Sequence, residues 1–76
     1  MQVETYVICS DDDLCLTGRQ VAILRYLAQG RHIHDIAHEL GYSSSTIKKE
    51  VHLTIQGCGA RNRAHAVAMA IRAGII

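Results

Sequence analysis

One stretch of the chain carries side chains whose types and spacing suit contacts with nucleic acid. If the aliphatic residues Ile47, Val51 and Ile55 face a core, the polar residues between them emerge on the opposite side of one helix. Hydroxyl groups bind phosphate, lysines neutralise phosphate or donate to guanine, and glutamine reaches adenine or the backbone. The candidate DNA-contacting residues are Ser44, Ser45, Thr46, Lys48, Lys49, His52 and Gln56.

The other reactive side chains do not form a catalytic arrangement. No nucleophile, general base and orienting group occur together at a workable spacing, and the five histidines are scattered along the chain. We therefore predict a protein that is not an enzyme and that needs no cofactor.

The three cysteines are Cys9, Cys15 and Cys58, and any disulfide scheme leaves one of them unpaired. This odd number favours a reducing bacterial cytoplasm, where the thiols act as small apolar groups. A zinc site is the alternative, because Cys9 and Cys15 could join His34 and His38, which are four residues apart on a helix face. Neither pair has the short C-x2-C type of spacing that is typical of structural zinc sites.

Length and composition predict one small, mostly helical domain. The chain has 76 residues, 49% of them hydrophobic and 20% charged, and it contains no proline, tryptophan or phenylalanine. Its longest uninterrupted apolar run, residues 66–71, is far shorter than the roughly 20 residues that cross a bilayer. We therefore predict neither a membrane span nor a secretory signal.

Charge is distributed unevenly along the chain. Residues 1–15 carry four acidic residues and no lysine or arginine, whereas residues 16–76 carry all eight basic residues against three acidic ones, a formal charge of +5. We treat 1–15 as an acidic leader. It could be a solvated tail, a phosphate mimic that screens the basic face, or an arm used in dimerisation.

The start of the first helix is well marked in the sequence. Residues 2–8 suggest an extended segment and 10–13 a polar turn. Thr17 then predicts an N-cap, and Gln20 completes a capping box. This helix should span about 18–29, end near Gly30, and bury the stripe Val21, Leu24, Leu27 and Ala28.

The next two helices form a predicted helix-turn-helix. A short helix opens near Ile33 and ends at Gly41, where the chain needs a positive φ. Ser43 caps a third helix over about 44–57. A short helix, a tight glycine turn and a second capped helix are typical of this motif.

A last helix completes an all-α, four-helix architecture. Asn62 predicts its N-cap, the helix runs over 63–73, and Gly74 ends it. Its inward residues should be Val67, Ala70 and Ile71.

The sequence resembles the LuxR/GerE-type helix-turn-helix, also found as the output domain of NarL/FixJ-like response regulators. The resemblance covers residues 16–76 and rests on four motifs: Leu16-Thr17 with Arg19, Ile36–Gly41 after Gly30, Ser43–Lys48, and Gly59–Val67 with Gly74-Ile75-Ile76. It implies a DNA-binding domain acting in transcription, with its third helix in the major groove and its fourth helix used for dimer contact. The dimer residues that we name are Ala66, Val67, Ala70 and Ile71. Fifteen residues cannot form a receiver domain, so the chain resembles the standalone, GerE-like size class.

Four departures from the family pattern bear on function. Gln20 replaces a glutamate but keeps the capping box, and His32 stands where a serine or threonine cap is common. Gly57-Cys58 replaces Lys-Leu, which removes a basic residue and makes the end of the third helix more flexible. Glu50 replaces a histidine, and its carboxylate needs a cationic partner such as Arg19 or Arg63, because it would otherwise repel DNA.

Two functions follow from these observations. The first is a homodimeric transcription regulator that binds double-stranded DNA at an inverted repeat with half-sites about 10 bp apart. The second is an interaction module with the same fold, which pairs with a longer LuxR-type regulator or with the transcription machinery without tight DNA binding of its own. A mobility-shift assay beside a size measurement distinguishes them.

Overall fold

Four helices follow a short β-hairpin in the structure, a computed structural model that describes residues 7–9 and 14–76. The elements in chain order are β1 (Val7–Cys9), β2 (Cys15–Thr17), α1 (Gly18–Ala28), α2 (Ile33–Leu40), α3 (Ser44–Cys58) and α4 (Arg63–Arg72). The mostly helical, four-helix class is confirmed, but the two strands make the term all-α too narrow. None of the helices in these described residues is long and apolar enough to cross a bilayer.

The hairpin corrects the cysteine prediction. β1 and β2 pair antiparallel, with Cys9 opposite Cys15, and these two residues form a disulfide. Opposed residues of an antiparallel pair bring their Cβ atoms within reach of a disulfide, a short-range relation that an odd cysteine count does not reveal. Cys58 is the free thiol, and partial burial raises its pKa.

The hairpin also bears on the predicted leader. Residues 7 and 8 of the predicted extended segment are in a strand, whereas residues 2–6 and the predicted turn at 10–13 lie outside the described residues. β2 crosses the predicted boundary at residue 16. The division into a leader and a domain stays a prediction, as do the three readings of the leader.

Side-chain caps fix where the helices begin. At α1 the predicted capping box is present: Gln20 N–H donates to Thr17 Oγ1 over 3.2 Å, and Thr17 N–H donates to Gln20 Oε1 over 3.0 Å. Asn62 Oδ1 accepts from His65 N–H over 2.8 Å and caps α4. At α2, His32 provides no side-chain cap, as its residue type predicts.

The core consists of two clusters that α1 joins. One cluster lies between β2, α1, α4 and the C-terminal residues, and the other lies between α1, α2 and α3. Val21 and Leu24 belong to the first cluster and Ile23 to the second. The predicted stripe of α1 was therefore wrong at two positions: it omitted Ile23, and it included Ala28, which is exposed.

The inward face of α4 differs from the predicted one. Ala66 and Ala70 are fully buried in the first cluster, whereas Val67 is half-buried and Ile71 is 53% exposed. Ala66 and Ala70 pack with residues of α1 in this cluster, and Ile71, one residue after Ala70, lies on a different side of the helix. Ala66 and Ala70 therefore cannot contact a partner as predicted, while Val67 and Ile71 remain available.

Candidate nucleic-acid interface

The turn between α2 and α3 sets the direction of α3. Gly41 adopts a left-handed conformation with φ 75°, and Tyr42 N–H donates to Ala37 O over 2.9 Å. Ser43 then caps α3, because its Oγ accepts from Thr46 N–H over 3.2 Å. Ile47 is fully buried in the second core cluster and anchors the helix on its inner side.

The outer side of α3 is a row of polar side chains that we call the reading face. Ser45, Lys49, His52 and Gln56 are exposed and follow one another at intervals of four, three and four residues, so that they line one side of the helix. Lys48 is exposed next to this row. Five of the seven predicted contact residues therefore emerge together, opposite Ile47.

The other two predicted contact residues bond within the protein. Ser44 is partly buried, and its hydroxyl lies 3.3 Å from His34 Nδ1 on α2. The Thr46 hydroxyl lies 2.9 Å from the Ser43 hydroxyl, inside the cap. These contacts stabilise the start of α3 and its contact with α2, so Ser44 and Thr46 help to position the helix.

Glu50 faces α1 and lies away from the reading face. Its Oε1 is 3.3 Å from Arg19 Nη1, and the two side chains are 20% and 26% exposed. The Arg19 guanidinium also lies 4.6 Å from the centroid of the Tyr42 ring. Arg19 is one of the two partners that the sequence suggested, and this pairing keeps the carboxylate from adding negative charge to the reading face.

Comparison with known proteins shows which family has this arrangement of helices. The family described as bacterial regulatory proteins, luxR family, matches residues 14–70, which include α1, α2, α3 and most of α4. The chain belongs to this family. The LuxR-type helix-turn-helix is a DNA-binding unit of transcription regulators and not an enzyme fold, in agreement with the sequence prediction.

A relative in Bacillus subtilis (strain 168) supports the same assignment. The uncharacterized transcriptional regulatory protein YxjL is 43% identical to this chain over 60 residues. The match covers 79% of this chain but only 28% of the relative, so the chain spans little more than a quarter of that protein's length.

The electrostatics of this LuxR-type domain favour an anionic ligand along α3. Lys48 and Lys49 are exposed, and the first turn of the helix contains no acidic residue. The free backbone N–H groups at a helix N-terminus add a partial positive charge that attracts phosphate. The start of α3 and the reading face therefore present positive charge together.

Leu53 is a residue near the reading face that the sequence reasoning missed, whereas His34, named there as a candidate zinc ligand, also lies near it. Leu53 is 44% exposed, four residues after Lys49 and beside the polar row. An apolar side chain at such a site can contact a thymine methyl group. His34 lies next to the α3 start through Ser44. The sequence did indicate that Leu53 would be exposed, because it follows His52 and lies outside the inward stripe of Ile47, Val51 and Ile55.

The zinc alternative is wrong for these cysteines. Cys9 and Cys15 are joined to each other, so their thiols are not free to bind metal with His34 and His38. In the part of the chain that the structure describes, no group of three or more histidine, cysteine or carboxylate side chains could hold a metal ion.

Proposed function

We propose that this chain regulates transcription by inserting α3 into the major groove of double-stranded DNA. The observation that carries the proposal is the reading face, where Ser45, Lys49, His52 and Gln56 are exposed together opposite buried Ile47. Such a face supplies phosphate contacts and base contacts from one helix. Because bacterial DNA lies in the cytoplasm, this function would be carried out there; the cysteines no longer support that location, because Cys9 and Cys15 form a disulfide.

Two lysine substitutions test the proposal. Lys48→Ala and Lys49→Ala should each weaken DNA binding by about tenfold and reduce the slope of log affinity against log salt by about 1. Arg25→Ala is the matched control, because Arg25 is exposed on α1 outside the reading face. A mobility-shift titration at several salt concentrations measures both quantities. Unchanged affinity in both lysine variants would contradict the proposal.

We further propose that two copies bind an inverted repeat as a homodimer through the outer face of α4. Ala64, Val67, Ala68 and Ile71 follow the spacing of one helix face, and Ile71 at its end is more than half exposed. A two-fold dimer of this kind places two α3 helices in successive major grooves, with half-sites about 10 bp apart.

The alternative, an interaction module, keeps one supporting observation. The same apolar face of α4 could pair with a longer LuxR-type regulator to form a heterodimer, or with the transcription machinery. The carboxylate of Glu50, which would repel DNA if it were unpaired, does not support this alternative, because Arg19 holds it away from the reading face. Tight association with a partner without retention of DNA at low salt would select the module.

A further inference from the structure

A groove of about 440 Å³ lies between the end of α1 and the start of α4. Leu27 and Ala28 from α1, with Ala64 and Val67 from α4, form its apolar lining. Arg31 and Arg63 contribute the charged part of the lining. The groove thus combines a place for aliphatic side chains with two cations at one site.

We propose that this groove binds an acidic segment of a partner protein, whose carboxylates contact Arg31 and Arg63 and whose leucine-like side chain enters the apolar lining. The inference goes beyond DNA binding and does not depend on it. The groove has no α3 residue in its lining, so it lies outside the reading face. Its two apolar α4 residues, Ala64 and Val67, also belong to the proposed dimer face, so the peptide and a second copy would compete for this part of α4.

Arg63 supplies the less compensated of the two charges. It is the first residue of α4 and is exposed, and within residues 7–9 and 14–76 it forms no ion pair. The N-terminal end of α4 adds a partial positive charge at the same place. A carboxylate near Arg63 would therefore be attracted both by the guanidinium and by the N-terminal end of α4.

Arg31 contacts two other side chains beside the groove. Its guanidinium lies 5.2 Å from the centroid of the Tyr26 ring and 3.4 Å from Glu39 Oε1. Glu39 is half exposed, so this ion pair is weak and leaves other N–H groups of the guanidinium able to donate. The planar guanidinium is rigid in itself, so less conformational entropy is lost for each hydrogen bond that it donates to a carboxylate.

The apolar lining favours a protein segment over DNA as the occupant. A phosphate backbone would contact the two arginines but would leave Leu27 and Val67 without a partner. A segment with carboxylates and an aliphatic anchor satisfies both parts of the groove, as amphipathic segments do in other hydrophobic grooves. We therefore expect the occupant of the groove to be an acidic, amphipathic peptide.

The test uses the full chain, labelled with 15N, and a synthetic peptide with aspartates on one side of a helix and leucines on the other. Titration should shift the amide resonances of Ala28, Gly30 and Ala64 more than those of the reading face. Arg31→Gln and Arg63→Gln should each weaken peptide binding by about fivefold. Arg72→Gln, at the other end of α4, is the matched control and should bind as the wild type does.

Two further peptides and one further variant make the result decisive. A peptide with lysines in place of the aspartates, and one with serines in place of the leucines, should both fail to bind. Ala64→Leu narrows the groove at an exposed position and should also reduce binding while the chain stays folded.

Each adverse outcome overturns the inference. If the serine peptide bound as tightly as the leucine peptide, attraction between charges alone would explain binding, without a role for the apolar lining. If Arg63→Gln bound the peptide as tightly as the wild type does, a contact with Arg63 would be excluded. Ala28 and Gly30 line the groove outside the proposed dimer face of α4, so shifts there that depend on protein concentration alone would assign the groove to a second copy. Mobility shifts with DNA, run on Arg31→Gln and Arg63→Gln, keep a failure here separate from a failure of DNA binding. Ala64→Leu is not used for this purpose, because Ala64 also belongs to the proposed dimer face.

Discussion

Arg19 and Glu50 show how single residues keep the reading face basic. Their ion pair joins α1 to α3 across 31 positions of the sequence, and both side chains are largely shielded from water. Partial burial strengthens the attraction between the two charges, and removal of one partner leaves the other in a poorly solvated place. The pair therefore affects both the stability of the domain and the charge that DNA would meet.

A double-mutant cycle should reveal this coupling. Arg19→Ala and Glu50→Ala should each lower the free energy of unfolding, with a coupling energy of about 1 kcal/mol, because the pair is partly buried. Urea denaturation of the two single variants and the double variant measures it.

The ion pair between Arg31 and Glu39 provides the matched control. These side chains are 36% and 50% exposed at a similar separation of 3.4 Å, so their coupling should be close to zero. Equal coupling energies for the two pairs would show that burial of the Arg19–Glu50 pair has no effect.

At the scale of the element, two glycines of similar surroundings have opposite roles. Gly41 has φ 75° and ends α2, whereas Gly57 lies inside α3, and a Cβ atom at either position would meet no atom within 4 Å. The backbone conformation alone therefore decides what an alanine would do. The turn needs glycine, and the helix does not.

Gly41→Ala should lower the free energy of unfolding by about 1 kcal/mol, because an L-residue is strained in the left-handed region. Gly57→Ala should raise it by about 0.5–1 kcal/mol, because alanine favours the helix. Thermal unfolding followed by circular dichroism compares the two variants directly. Effects of the same sign would contradict the assigned conformations.

The Cys9–Cys15 disulfide belongs to the hairpin element. It closes a short loop with a sequence separation of 6 and should stabilise the oxidised chain by up to about 2 kcal/mol relative to the reduced chain. Denaturation with and without dithiothreitol measures the difference, and the far-ultraviolet helical signal should persist in both states. The Cys58→Ser variant should show the same difference in stability between the oxidised and reduced states, whereas the Cys9→Ser variant should show none. Identical stability in both redox states would refute the expectation.

At the scale of the whole molecule, the polar and apolar faces have separate tasks. α3 directs its polar row outward, and α4 leaves an apolar face with Val67 and Ile71 at the surface. Exposed apolar patches on a small protein commonly mark interaction surfaces. Our proposal of a homodimer uses this face, so a charge placed there should affect assembly more than folding.

Ile71→Glu should weaken dimer association by about tenfold and lower the affinity for an inverted repeat more than for a single half-site. The variant should remain folded, because Ile71 is exposed. Sedimentation and mobility shifts on both DNA types measure these effects. Val7→Glu, at an exposed residue of β1, is the matched control. Unaltered association in Ile71→Glu would remove α4 from the proposed interface.

The sequence by itself determined the helices and the reading face. Thr17, Ser43 and Asn62 predicted three N-caps, and Gly41 predicted the turn, because capping and left-handed glycine depend on a few neighbouring residues. The regular spacing of Ile47 and its neighbours likewise identified the outer side of α3. These features are local, so a single chain is sufficient to specify them.

Only the tertiary structure decided the inner face of α4 and the pairing across the hairpin. α4 has apolar residues on more than one side, so spacing alone could not choose between Ile71 and the alanines at 66 and 70. Packing against α1 buries the two alanines of α4, and the register of the two strands places Cys9 opposite Cys15. Both choices depend on which surfaces meet in space, and that information is not contained in the periodicity of one segment.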